Sequence, residues 1–206
     1  MGGRVLLSWG PGCEGEAPIH IWEPVQRFGW TEDYGVDEHG RPIEMAVDFH
    51  IEAGKGATVV RLVQSGFSAS ADWDEMYDAL VDGWAYFMFN LVYYMTKHRG
   101  KPRGMAWRRV ATDLARDAVW DRLIGGVLVT AATGLAPGTP FELQLDSAHT
   151  GEVISARPGY HFAGTRPDMD DSLLFVELEA GHVGLWLSTY GTSEHEVAGP
   201  CSVNWT

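Results

Sequence analysis

The hydrophobic pattern of the chain changes period twice. From Ile43 to Glu52 apolar and polar residues alternate strictly, with Ile43, Met45, Val47, Phe49 and Ile51 on one side and Glu44, Asp48, His50 and Glu52 on the other. That is the two-residue period of a half-buried strand. Gly and Lys at Ala53-Gly-Lys-Gly56 make a turn, and Thr58 to Gln64 returns as the partner strand. A four-residue loop there predicts Phe49 opposite Val60, Val47 opposite Leu62 and Asp48 opposite Arg61, an opposite-charge pair on the outer face. Shorter strand-like runs precede this hairpin at Arg4–Trp9, Ile19–Glu23 and Gln26–Thr31, and Asp33 to Pro42 reads as a loop.

Between Asp72 and Gly100 the period becomes helical. Asp72 and Glu75 form a capping box, Lys97, His98 and Arg99 sit at the negative end of the helix dipole, and Gly100 with Pro102 stops the helix. At 1.5 Å per residue the rod is about 40 Å long. Trp73, Met76, Tyr77, Leu80, Trp84, Phe87, Met88, Leu91 and Met95 make one apolar stripe, expected to lie on the Ile43 face of the hairpin. Val81, Ala85, Tyr86, Phe89, Val92 and Tyr93 make the opposite side apolar too. The run from Trp84 to Met95, apolar on nearly every side, is twelve residues, too few to span a bilayer, so a second layer is expected there, from this chain or from a two-fold partner. A homodimer is the expected assembly.

Beyond Gly100 the segment 101–112 reads as a linker. A shorter helix follows at Asp113–Ile124, with Leu114, Ala118, Val119 and Leu123 on one face. Strand-like segments then run at Phe141–Leu145, Glu152–Ala156, Tyr160–Ala163, Leu173–Glu179 and Val183–Tyr190. The fold class is α+β, in two units: residues 1–100, strands then the long helix, and residues 113–206, a helix then strands.

The charge narrows the function. With 28 acidic against 15 basic residues, the net charge of -13 argues against a nucleic-acid partner. Cys13 and Cys201 carry no disulfide framework, and no targeting segment precedes Arg4, so a cytoplasmic protein is expected. No phosphate-cradling, metal-binding or nucleophile motif is present, and no cofactor, metal or catalytic residue is assigned. His20 and His50 read as solvated. Glu194-His195-Glu196 lacks metal-ligand spacing, and Asp168-Met-Asp-Asp171 lacks the Gly and Glu of a calcium loop. Nine Trp, seven Tyr and eight Phe fit either large cores or an aromatic-lined cavity.

The strand TVVRLVQSGF, then Trp73-Asp74, the Gly83-Trp84 pair and Gly100, resembles the final strand and helix of the heat-shock-protein-90 ATPase activator homologues. These are a branch of the START-like (SRPBCC) superfamily. IHIWEPVQRFGW resembles an earlier strand pair of that family, and the likeness covers roughly residues 3 to 100. It implies a helix-grip fold, a curved antiparallel sheet around one long helix with a cavity between them. Family members open with a strand and a helix pair that are not found before Arg4. The segment around Asp117-Ala-Val-Trp120-Asp-Arg-Leu123 looks like that opening helix, so residues 113–206 resemble a second, diverged START-like unit.

The expected function is non-catalytic binding of a small hydrophobic molecule, with Phe49, Leu62 and Gln64 of the sheet facing Trp84, Phe87, Met88 and Leu91 of the helix. A filled core is the competing reading of the same residues. The resemblance also leaves open a stress-response, co-chaperone-like module with a chaperone partner, or an enzyme of cyclase or hydrolase type. The Ile43–Ile51 inward face carries no ionisable group, which weighs against catalysis. Mid-helix Gly83 costs about 1 kcal/mol against Ala, and a close approach of sheet backbone is its expected reason.

Overall fold

Alternating segments pair with their chain neighbours to build two antiparallel sheets. The computed structural model describes residues 2–8, 14–67, 73–131, 134–144, 148–179 and 181–191. Cys13, Asp72, Cys201 and the Glu194–Glu196 stretch lie outside the described residues. The chain divides into two compact units, Met1–Tyr77 and Asp78–Thr206.

The first unit is a five-stranded meander, β1 (Arg4–Ser8), β2 (Glu14–Glu23), β3 (Arg27–Val36), β4 (Pro42–Ala53) and β5 (Thr58–Ser65), paired in sequence order. Strand β3 runs through Asp33 to Val36, which the polar composition had read as loop. The β4–β5 hairpin keeps the expected faces but shifts by two residues, so that Phe49 opposes Leu62, Val47 opposes Gln64 and His50 opposes Arg61. The ladder extends to Ala53 and Thr58, and the loop is Gly54–Ala57, closed by Gly54 N–H donating to Ala57 O at 2.8 Å. Asp48 therefore lies opposite Val63, not Arg61. Its carboxylate meets His20 Nε2 at 3.0 Å, and His20 Nδ1 meets Thr31 Oγ1 at 3.0 Å. A side chain on Gly29 would collide with this His20–Asp48 pair, which explains the glycine.

The second unit holds nearly all of the long helix. Helix α1 (Asp74–Tyr93) continues through a π turn at Tyr94–His98 and stops at Gly100, whose φ of +85° suits a residue without Cβ. The Tyr94 hydroxyl fastens the exit, accepting from Gly100 N–H at 3.2 Å and donating to Lys101 O at 3.0 Å.

Residues 103–111 are not a linker but strand β6 (Arg103–Ala111). Its arginines and glycine hid the alternation of Met105 and Trp107 with Gly104, Ala106 and Val110. Helix α2 (Arg116–Arg122), a π turn at Leu123–Val127, and strands β7 (Val129–Thr130), β8 (Pro140–Gln144), β9 (Ala148–Arg157), β10 (His161–Arg166), β11 (Ser172–Glu179) and β12 (His182–Tyr190) follow. The sheet order is β6-β12-β11-β10-β9-β8-β7. The first strand thus pairs with the last, across a helical connection, a layout consistent with a helix-grip α+β unit. None of the described helices is long and apolar enough to cross a membrane.

This sheet carries helices on both faces. On one face Val119, Trp120, Leu123 and Ile124 pack with Val153, Phe162, Leu174, Val176, Leu178, Val183 and Leu185 into a continuous buried core. On the other, Tyr86 stacks on Phe175 with ring centres 4.0 Å apart, and Tyr93 packs with Leu173 and Tyr190. The Tyr86–Phe89–Tyr93 side of α1, expected to face a second layer, is thus covered by the second sheet of the same chain. Its expected sheet-facing stripe includes Met76, Tyr77, Leu91 and Met95, all exposed. The expected unit boundary after Gly100 differs from the division at Tyr77 for this reason: the buried side chains of the helix are committed to the seven-stranded sheet. A Cβ on Gly83 would touch only Glu177 Oε1, at 4.0 Å, so no sheet backbone approaches it.

Candidate functional site

The expected binding residues fall into different units. Phe49, Leu62 and Gln64 lie on the first sheet, whereas Trp84, Phe87, Met88 and Leu91 lie on α1 within the second unit. Among the latter, Phe87 meets Trp84 at 6.1 Å and Trp186 at 6.5 Å between ring centres, and Leu91 is exposed.

On the first sheet the ladder places Trp22 opposite Phe28, Phe28 opposite Phe49, and Phe49 opposite Leu62, one row across four strands. The next row sets Trp30 opposite Val47 and Val47 opposite Gln64. Trp22 meets Phe28 edge-on at 5.4 Å, Phe28 stacks on Phe49 at 6.4 Å, and Trp30 stacks on Phe49 at 5.7 Å. Trp30, Met45 and Val47 are buried, yet Phe28, Phe49, Leu62 and Gln64 are only half-buried and Trp22 is 51% exposed. The signal for Trp22, Phe28 and Trp30 was in the sequence, as alternation within IHIWEPVQRFGW, but only pairing shows that they continue the Phe49 row.

The α1-covered face of the second sheet carries buried polar side chains beside its aromatic contacts. Near the end of α1, the Tyr190 hydroxyl donates to Asn90 Oδ1 at 2.7 Å and Asn90 Nδ2 donates to Ser188 Oγ at 2.9 Å, all three residues being buried. His98 stacks on Tyr190 at 4.1 Å, and neither of its buried ring nitrogens has a hydrogen-bond partner. Burial, reinforced by the charge of Lys101, pushes its pKa below the ordinary histidine value. Asp168, Asp170 and Asp171 form a solvent-exposed turn whose carboxylates pair with Arg166 and His149, with Lys101, and with Lys97 respectively.

Further up α1, Asp82 accepts from Arg157 Nη1 at 2.8 Å and lies 3.7 Å from His161 Nδ1. His161 Nε2 meets Ser155 Oγ at 2.9 Å. Burial lowers the His161 pKa, outweighing the pull of Asp82. Glu177 faces His161 across the β10–β11 ladder. Burial, then repulsion from Glu179, raises its carboxyl to about 7. Sequence reasoning assigned none of these residues. The one available signal was Glu177, a carboxylate between Val176 and Leu178 in an otherwise apolar run. Among the described residues no cluster of three or more His, Cys, Asp or Glu could hold a metal ion.

No family model matches the chain, and no curated protein matches it either. Among solved structures it is similar to DynU16, a protein of the dynemicin biosynthetic locus, at 17% identity and a TM-score of 0.38, covering 95% of this chain and 76% of that one. It is also similar to the di-domain ARO/CYC StfQ from the steffimycin biosynthetic pathway, at 11% identity and a TM-score of 0.33, covering 92% of this chain and 74% of that one.

Proposed function

We propose that the first unit binds a small, flat hydrophobic molecule on its aromatic sheet face, by contact and without chemistry at that face. The observation that carries this reading is the row Trp22–Phe28–Phe49–Leu62, which stays half open to solvent while the second unit's α2-side apolar face is buried. Ring faces and edges arranged at stacking distance favour a planar partner. Gln64, at the margin of the row, supplies an amide that would orient a carbonyl or hydroxyl of the ligand. The β4 residues Ile43, Met45, Val47, Phe49 and Ile51 include no ionisable group, and the carboxylate on their side of the sheet, Glu32 opposite Met45, is held by the Trp30 indole at 2.7 Å and the Tyr34 hydroxyl at 3.2 Å. Trp84, Phe87, Met88 and Leu91 are left out of this set because they belong to the other unit.

The test is a fluorescence titration with 2-naphthol and naphthalene, checked by native mass spectrometry. Losing one aromatic contact removes about 0.5–1.5 kcal/mol beyond area effects, so Phe28→Ala and Phe49→Ala should each weaken 2-naphthol at least ~3-fold. Gln64→Leu should weaken 2-naphthol and leave naphthalene unchanged. Equal binding by the wild type and both Phe variants would refute the assignment.

A further inference from the structure

Ser155, His161 and Asp82 come from β9, β10 and α1 and meet on one face of the second sheet. Ser155 pairs with Ala163, two residues from His161, which sets the serine diagonally beside the imidazole. The resulting chain runs Ser155 Oγ to His161 Nε2 at 2.9 Å, then His161 Nδ1 to Asp82 Oδ2 at 3.7 Å. Arg157, directly opposite His161, donates to the same Asp82 Oδ2 at 2.8 Å and lies over the Tyr160 ring at 3.8 Å. His161 Nδ1 is buried with no hydrogen-bond partner, and Asp82 is the carboxylate beside it. Docking α1 on the sheet requires only the Arg157–Asp82 pair; it gives no reason for a serine on the other ring nitrogen.

We propose that this array is a nucleophilic serine site that cleaves small activated esters. Ser155 Oγ bonds to the ester carbonyl carbon as its proton passes to His161 Nε2. The carbon–oxygen bond to the leaving group then breaks, and His161 returns the proton to the departing alkoxide. Water attacks the acyl-serine by the same route, giving a carboxylic acid and restoring Ser155; ester plus water becomes acid plus alcohol, with no cofactor required. The imidazole is neutral at pH 7, as a base must be, because burial disfavours its cation. Asp82 is a positioning residue, 3.7 Å from the nitrogen that becomes positive, and closes to hydrogen-bond distance on the imidazolium. Ser155 and Arg157 are half-buried rather than sealed, which leaves the nucleophile open to a small reagent. The site uses no residue of the aromatic face on the first unit, so the two proposals stand or fall separately.

The experiment is labelling with a fluorophosphonate, whose fluoride is the leaving group, alongside hydrolysis of p-nitrophenyl acetate. One equivalent of adduct, mapped by peptide mass spectrometry to Ser155, is expected, and none in Ser155→Ala. His161→Gln should label at least ~100-fold more slowly, the scale of lost base catalysis. Asp82→Asn should slow labelling at least ~10-fold, and Asp82→Glu, which keeps the charge that pairs with Arg157, should recover part of the rate. Absence of adduct on the wild type, an adduct elsewhere, or undiminished hydrolysis by Ser155→Ala would each overturn the proposal. If His161→Gln does not fold, the adduct map and Ser155→Ala still decide it.

Discussion

Glu177→Gln should stabilise the protein at neutral and alkaline pH and change little in acid. The Glu177 carboxyl lies under α1 beside Gly83, and its pKa rises from 4.5 to about 7, first through burial and then through Glu179. At about 1.4 kcal/mol per pH unit, that interval is worth about 3 kcal/mol, and the group's residual contact with water trims it to about 2 kcal/mol. The sign follows from linkage. A carboxyl whose folded pKa is raised favours the folded state below its unfolded pKa, and the benefit fades as pH rises from 4.5 to about 7. Above that window the folded protein holds a buried charge that the unfolded chain leaves in water. Gln removes the charge and keeps an acceptor oxygen beside the Trp186 indole. Urea denaturation of both proteins from pH 4 to 8, followed by far-UV circular dichroism, measures the difference. It should be near zero at pH 4, grow through the window and level off near 2 kcal/mol by pH 8. A constant difference across pH, or a less stable variant at pH 8, would refute the argument.

His98 should act in the opposite direction. Its lowered pKa means that its contribution is complete above the unfolded value of 6.5 and is lost as pH falls; His98→Phe should therefore flatten the acid side of the same urea series. Asn90→Leu removes the acceptor of the buried Tyr190 hydroxyl and one of two donors to Ser188 Oγ, Arg103 remaining, and should cost about 1–3 kcal/mol, read from the urea midpoint. Gly83→Ala meets nothing closer than ordinary contact, so it should stabilise the helix by about 1 kcal/mol in the same assay. A destabilised Ala variant would mean that the space above Glu177 is already taken.

Element types were legible because they are local. The period-two run Ile43–Glu52 formed a strand, the helical-period stretch stopped at Gly100 formed a helix, and most strands after Phe141 lie where their apolar runs are. Strand β6 was not legible, since its arginines fall on both faces, Arg103 and Arg109 on the α1 side and Arg108 opposite Leu185 on the other, and break its alternation. Register was legible to parity only: moving the hairpin by two residues keeps Phe49, Leu62 and Gln64 on one face, and hydrophobic pattern cannot tell the two pairings apart. Aromatic residues of the first sheet were visible one strand at a time, and pairing made them a row. The partner of the long helix was decided by tertiary structure. A helix apolar on every side fits any apolar surface, so its sequence announces burial without naming the sheet. What settled it are contacts roughly a hundred residues apart, Asn90 with Ser188 and Tyr190, and Tyr86 on Phe175. Ser155, His161 and Asp82 carried no sequence signal for the same reason: side chains on three elements share no spacing, and only the folded sheet brings them together.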